Sequence, residues 1–221
     1  MSRPTPRRTQ EQRREATRAQ LLDAAVECLL ERGYAATTVS EVLERAGLAR
    51  GTLLHHFPTK ADLMVAATSH LVNARMARFR KTAELISPTQ DRLQAMVDLA
   101  WADLNSPAFF VALELWVAAR TDTELRDVLV IEEAKLFTTM RDGFASVLGD
   151  RYADDPRAAT AVEFTIDILT GLSITTILTG NLGRRGPLLR RWKRALAVLL
   201  GELDAERLVE TRTTGRTSHA N

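Results

Sequence analysis

Three of the four histidines, His55, His56 and His70, and a clear excess of cationic side chains lie in the first 81 residues of this 221-residue chain. Up to Lys81 there are 14 Lys/Arg against 8 Asp/Glu, a net +6, whereas the remainder carries 16 against 20, a net −4. Imidazole, ammonium and guanidinium groups gathered in one segment suit a polyanionic partner. A solvated charge run gives the same count without a partner, so charge alone leaves both readings open. The same residues are poorly arranged for catalysis. No glycine-rich phosphate loop, nucleophile elbow or paired Cys/His metal spacing occurs. The adjacent pairs Glu132-Glu133 and Asp154-Asp155 point in different directions on a helix and make no acid/base pair. No catalytic residue, metal site or cofactor is expected. A helical acyl-group or cofactor-binding enzyme is the minor alternative, distinguished by substrate turnover without DNA binding.

The composition, 45% hydrophobic and 26% charged, is that of a soluble globular protein with ample material for a core. The single cysteine, Cys28, stands among Val26, Leu29 and Leu30 and reads as a small core residue. An arginine-rich N-terminus without an apolar stretch argues against secretion, so the expected location is the cytoplasm. The stretch from Phe164 to Leu182 comes nearest to a membrane segment, but its threonines, Ser173, Gly171 and Gly180 make it too polar, and it is read as a helix buried on both sides, against its own domain and against a partner.

The elements that would position the basic residues are legible in order. Residues 1–12, with Pro4, Pro6 and several arginines, read as a disordered arm, a solubility tail or a reach toward phosphates or a minor groove. From about Arg13 to Arg32, Leu21, Leu22, Ala25, Val26, Leu29 and Leu30 recur on one helical face, and Gly33 follows as a C-terminal stop. Thr38 and Glu41 have capping-box spacing, so a second helix starts near Val39 and ends at the Gly47 turn. A third helix runs from about Arg50 to His56 and stops at Pro58, and Thr59 to Asp62 caps a fourth that reaches about Lys81. Val42, Leu43, Ala46, Leu48, Leu53 and Phe57 supply the contacts that lock such short helices together, as in a helix-turn-helix.

In Gly33, Thr37, Thr38, Val39, Val42, Ala46, Gly47, Leu48, Gly51, Thr52, Leu53, His56, Phe57 and Lys60, taken in this order and spacing, the chain resembles the DNA-binding domain of the TetR family of transcriptional regulators. The resemblance covers about the first 80 residues. It implies an all-α protein with an N-terminal three-helix helix-turn-helix domain (13–58), a linking helix (59–81) and a larger C-terminal helical ligand-binding and dimerisation domain (82–206), followed by a disordered tail (207–221). It assigns base-edge contact to Arg50, Thr52 and His55, with Arg50 able to address guanine through two donors. Thr38, His56 and Lys60 are assigned to phosphates. Two positions depart from the family pattern. Ala49 stands where a capping Ser or Thr is usual, and Leu54 replaces a common tyrosine.

Beyond Lys81 the helical period continues, punctuated by Pro88, Pro107, Pro156 and Pro187, with helices expected at about Asp91 to Asn105, around Phe109 to Val117, at Thr123 to Leu148, and at Pro187 to Glu206. The resemblance implies an effector pocket here. Trp101, Phe109, Phe110, Leu113, Trp116, Phe137, Met140 and Phe144, with Glu114 and Asp167 as polar members, are its candidates, although each apolar member alone fits plain core. The last two helices are expected to pair with a second copy, through Ile168, Leu172, Thr175, Trp192, Leu196 and Leu199. The expected partners are double-stranded operator DNA, a second copy of the chain and a small-molecule effector, with no membrane. The implied mechanism is repression at a pseudopalindromic operator by a homodimer that a largely hydrophobic effector releases. An architectural or division-control DNA-binding protein without an effector is the other alternative.

Overall fold

The computed structural model describes residues 9–87, 91–180 and 185–208, and every regular element among them is helical. The expected tail from 209, residues 1–8 of the expected arm, the last two residues of the Phe164 to Leu182 stretch and residues 183–184 after it lie outside the described residues. The helices are α1 (Gln10–Ala36), α2 (Val39–Ala46), α3 (Arg50–His56), α4 (Lys60–Glu84), α5 (Arg92–Asp103), α6 (Pro107–Ala118), α7 (Thr123–Leu148), α8 (Pro156–Thr179) and α9 (Gly186–Leu199). Short 3-10 turns cover Asp150–Tyr152 and Ala205–Leu208.

Two boundaries differ from expectation for local reasons. The Thr9 hydroxyl accepts the Gln12 N–H at 3.2 Å, and the Gln12 side chain accepts the Thr9 N–H at 3.0 Å. This capping box starts α1 at Gln10, inside the segment read as a disordered arm. At the other end of the chain, α9 stops at Leu199 rather than about Glu206. Gly201 there takes φ 75°, which carries the backbone out of the helical path. Gly33 has the positive φ expected of it, 74°, but with ψ 175° it kinks α1, and one more turn follows to Ala36.

By packing, the chain forms two compact units that interleave along the sequence. Among the described residues, one holds those up to Arg75 and 107–138; the other holds those from Met76 to Ser106 and from Thr139 onward. In the first unit Leu21, Leu29, Val42, Leu53, Leu63, Met64, Leu115 and Leu125 share one buried cluster, so α6 and the start of α7 build the same core as α1–α4. Cys28 is buried in it and makes no disulfide. In the second unit α5 packs on α8 and α9. Lys193 donates to Asp98 at 2.6 Å, and the Trp192 indole donates to the Thr165 hydroxyl at 3.2 Å, fixing α9 to both neighbours.

α8 is long and apolar enough to cross a membrane by length and composition alone. It buries Ala161, Val162, Thr165, Ile166, Leu169, Ser173 and Thr176. Its other side is open, with Phe164 50% exposed and Ile168, Ile174 and Ile177 also exposed. The buried side is the one expected against the helix's own domain, and the open apolar side is the one expected against a partner.

Candidate nucleic-acid interface

The second and third helices owe their shape to local chemistry. The Thr38 hydroxyl accepts the Glu41 N–H at 3.3 Å and donates to the Glu41 carboxylate at 2.9 Å, which also accepts the Thr38 N–H at 3.0 Å. The capping box read from sequence is thus formed, and the backbone and hydroxyl hydrogen bonds hold the Glu41 carboxyl below its ordinary pKa. Gly47, at φ 63° and ψ 35°, ends α2 in the left-handed region, where a side chain would be strained. Polar bonds then pin α2 to α1: Arg45 reaches Glu31 at 2.6 Å, Arg32 pairs with Glu41, and Gln20 donates to the Ala46 carbonyl at 2.6 Å.

Helix α3 is built differently. Ala49 occupies its N-cap and makes no side-chain hydrogen bond there. Leu53 and Phe57, four residues apart, are buried and hold the helix to the core. One turn in the other direction, Arg50, Gly51, Leu54 and His55 form an exposed strip, flanked by half-buried Thr52 and His56. Leu54, 52% exposed, stands in the middle of this strip. A large apolar side chain kept there, between a guanidinium and an imidazole, can contact a thymine methyl.

The residues expected at phosphates surround this strip with unequal freedom. His56 lies edge-on to His55, ring centroids 5.5 Å apart. Burial first, then the charges of His55, Arg14 and Arg18, push its pKa below the ordinary imidazole value. Arg18 also stacks over Phe57, its guanidinium carbon 5.1 Å from the ring centroid. Arg14 and Arg18 belong to the arginine-rich N-terminus, and their i,i+4 spacing on α1 puts both beside His56. Lys60 opens α4 behind a Thr59/Asp62 capping box (Asp62 N–H to Thr59 Oγ1, 3.1 Å), and its ammonium sits 4.9 Å above the Tyr34 ring. Thr38 has both donors engaged by Glu41, so a phosphate would have to draw its hydroxyl away.

The ten residues expected to line an effector pocket divide between the two units. Trp101, Met140, Phe144 and Asp167 belong to one packing unit, and Phe109, Phe110, Leu113, Glu114, Trp116 and Phe137 to the other. Phe109 and Phe144 are fully buried; Phe144 packs on Phe79 with centroids 4.9 Å apart. Trp116 packs against the cluster that supports α1–α4. Glu114 accepts the Tyr34 main-chain N–H at 2.7 Å, and Asp167 lies exposed on the open side of α8. A cavity of about 820 Å³ in the second unit is lined by other residues, among them Arg80, Arg92, Tyr152 and Glu202. Of the residues expected to meet a second copy, Ile168 and Thr175 are exposed, and Leu172, Trp192 and Leu199 half-buried. Leu196 is fully buried in its own protomer, which removes it from any outer face.

Residues 21–67 match the family model for bacterial regulatory proteins of the tetR family. The chain is 30% identical over 171 residues to the HTH-type transcriptional regulator CymR of Pseudomonas putida, covering 77% of this chain and 84% of CymR. It is similar in structure to a TetR transcriptional regulator from Rhodococcus sp. RHA1, with TM-score 0.58 and 21% identity over 88% of this chain and 100% of that one. The multidrug binding protein EbrR, solved with imidazole, gives TM-score 0.57 and 23% identity over 82% of this chain and 93% of that one. At these identities the structural likenesses show the fold: a helix-turn-helix followed by a helical C-terminal part.

Proposed function

The chain belongs to the TetR family of DNA-binding transcriptional regulators, and from that premise we propose that it is a repressor that grips a pseudopalindromic operator as a homodimer and lets go when a small effector binds. The observation that carries this reading is the exposed strip of α3, with Arg50, Leu54 and His55 free to meet base edges and Thr52 beside them. His56 and Lys60 flank it as phosphate contacts, with Thr38 joining once its hydroxyl leaves Glu41. One such helix reads only a few base pairs, so two copies about 34 Å apart, one turn of DNA, supply adequate specificity.

The open side of α8 supports the second copy. Phe164, Ile168, Gly171, Ile174 and Thr175 follow the three-and-four spacing of one face, and a side chain at Gly171 would meet nothing within 4 Å. Leu172, Trp192 and Leu199 border that face in this reading. Apolar exposure of this kind on a helix marks an interaction surface. EbrR, a relative in fold whose structure was solved in complex with imidazole, supports a small-molecule effector.

The test is a duplex selection from a random pool, with the mass in solution followed by light scattering. We expect a dimer that selects inverted half-sites, and Ile168→Glu with Phe164→Glu should yield a folded monomer with at least about tenfold weaker binding. A wild-type monomer that binds one asymmetric site at full affinity would sink the proposal.

A further inference from the structure

We infer that Tyr34 is a positioning residue for the phosphate grip of Lys60, and that Glu114 of α6 and Asp122 at the α6–α7 corner hold Tyr34 in place. This rests on the reading of Lys60 as a phosphate contact. A lysine has four rotatable bonds and a strongly hydrated head, so its ammonium needs a restraint to stand ready at one place. The ring of Tyr34 supplies one: the Lys60 ammonium is 4.9 Å from the ring centroid, within the range of attraction by the π face. The ammonium keeps donors free for an anion while the ring limits where it can go.

Tyr34 is itself tied at both ends. Its main-chain N–H donates to Glu114 Oε2 at 2.7 Å, and its hydroxyl donates to Asp122 Oδ2 at 3.2 Å. Burial, together with the Asp122 charge and hydrogen bond, pushes the hydroxyl pKa up to about 12, so it remains a donor at neutral pH. Glu114 is the only charged residue of α6, whose other members are apolar or proline. It reaches Tyr34 because Gly33 leaves room: a Cβ there would stand 2.5 Å from the same carboxylate oxygen, and φ 74° disfavours any side chain. The corner continues to the start of α2 through buried Thr37, whose hydroxyl donates to the Gly33 carbonyl at 2.7 Å. A shift of α6 or of the α6–α7 corner therefore moves the ring that holds Lys60, without any change in the base-reading strip.

The experiment is a double-mutant cycle on the full chain, using a fluorescein-labelled duplex that the wild type selects from a random pool, titrated by anisotropy across a salt series. Glu114→Ala and Tyr34→Leu should each weaken binding about threefold and lower the slope of log K against log salt. In a Lys60→Ala background neither should have a further effect. Glu114→Gln keeps a carbonyl acceptor and should restore most of the affinity, and Tyr34→Phe keeps the ring but loses the bond to Asp122 and should fall between wild type and Tyr34→Leu, so the cycle survives if Tyr34→Leu fails to fold. The inference is overturned if Glu114→Ala, shown folded by its melting curve, leaves binding unchanged, or if its loss adds to that of Lys60→Ala. If Lys60→Ala alone leaves the salt slope untouched while the wild type binds, the phosphate role of Lys60 falls and this inference with it. Failure to select any duplex would instead overturn the operator reading.

Discussion

Helices α2 and α3 are adjacent and of nearly equal length, yet they use their polar groups in opposite ways. α2 is capped by Thr38 and Glu41, ended by Gly47 and tied to α1 through Arg45, Arg32 and Gln20. α3 has an uncapped N-terminus and is anchored through Leu53 and Phe57, while Arg50, Leu54 and His55 face outward. Polar groups that satisfy each other contribute to the fold and must give up those bonds to meet a ligand. Those left toward water must find their best partners elsewhere. The contrast separates the helix that supports from the helix proposed to read, although both are rich in charged and polar residues.

The largest break in that contrast should come from the two arginines. Arg50→Ala should cost about ten- to a hundredfold in affinity for the selected duplex, with little change in affinity for unrelated DNA and none in melting temperature. Arg45→Ala should do the reverse, lowering the melting temperature while leaving sequence preference intact, because its guanidinium is spent on Glu31 and Glu27. Anisotropy on both duplexes beside thermal melts separates them. Equal loss of preference in both variants would erase the distinction.

A smaller effect should follow pH through His56, whose pKa lies below the ordinary imidazole value because burial and neighbouring cations disfavour its charge. The unfolded chain then binds the proton more readily, so this group lowers stability as pH falls below the ordinary value and contributes nothing above it. A bound phosphate favours the charged ring, so DNA binding should take up a proton and strengthen as pH falls through the same window, by at most about tenfold per pH unit. The two trends oppose each other, and both should shrink in His56→Gln. Affinity that does not change with pH in the wild type would exclude a phosphate-bound imidazolium.

The smallest change expected is at the cap. Ala49→Ser gives α3 the hydroxyl it lacks and should stabilise the fold by about 1 kcal/mol, read as a raised unfolding midpoint, and it brings α3 closer to the pattern of α2. If stability does not rise, the open N-terminus of α3 is already satisfied by water.

Local rules made much of this visible in the sequence. The Thr38/Glu41 and Thr59/Asp62 caps, the Gly47 turn and the limits of α3 and α7 all depend on neighbours within four residues. The Thr9/Gln12 cap obeys the same rule and was obscured by the prolines and arginines before it. Glu114 could not be read this way. A lone carboxylate in an apolar helix looks the same whether it faces a ligand, water or a main-chain amide, and its partner Tyr34 is 80 positions away in the chain. Leu196 illustrates the same difficulty on α9, where one amphipathic stripe has to be divided between the protomer's own core and a possible second copy.

The shared core of the first unit has a consequence for how the protein is made. Leu21, Leu29 and Leu53 leave the ribosome early, but Leu115, Leu125 and Leu129, which lie in the same cluster, follow only about a hundred residues after the first of them. At common translation speeds that is a delay of seconds, during which a nascent α1–α3 has its apolar face without its final cover. The helix-turn-helix is synthesised before the residues that complete its core.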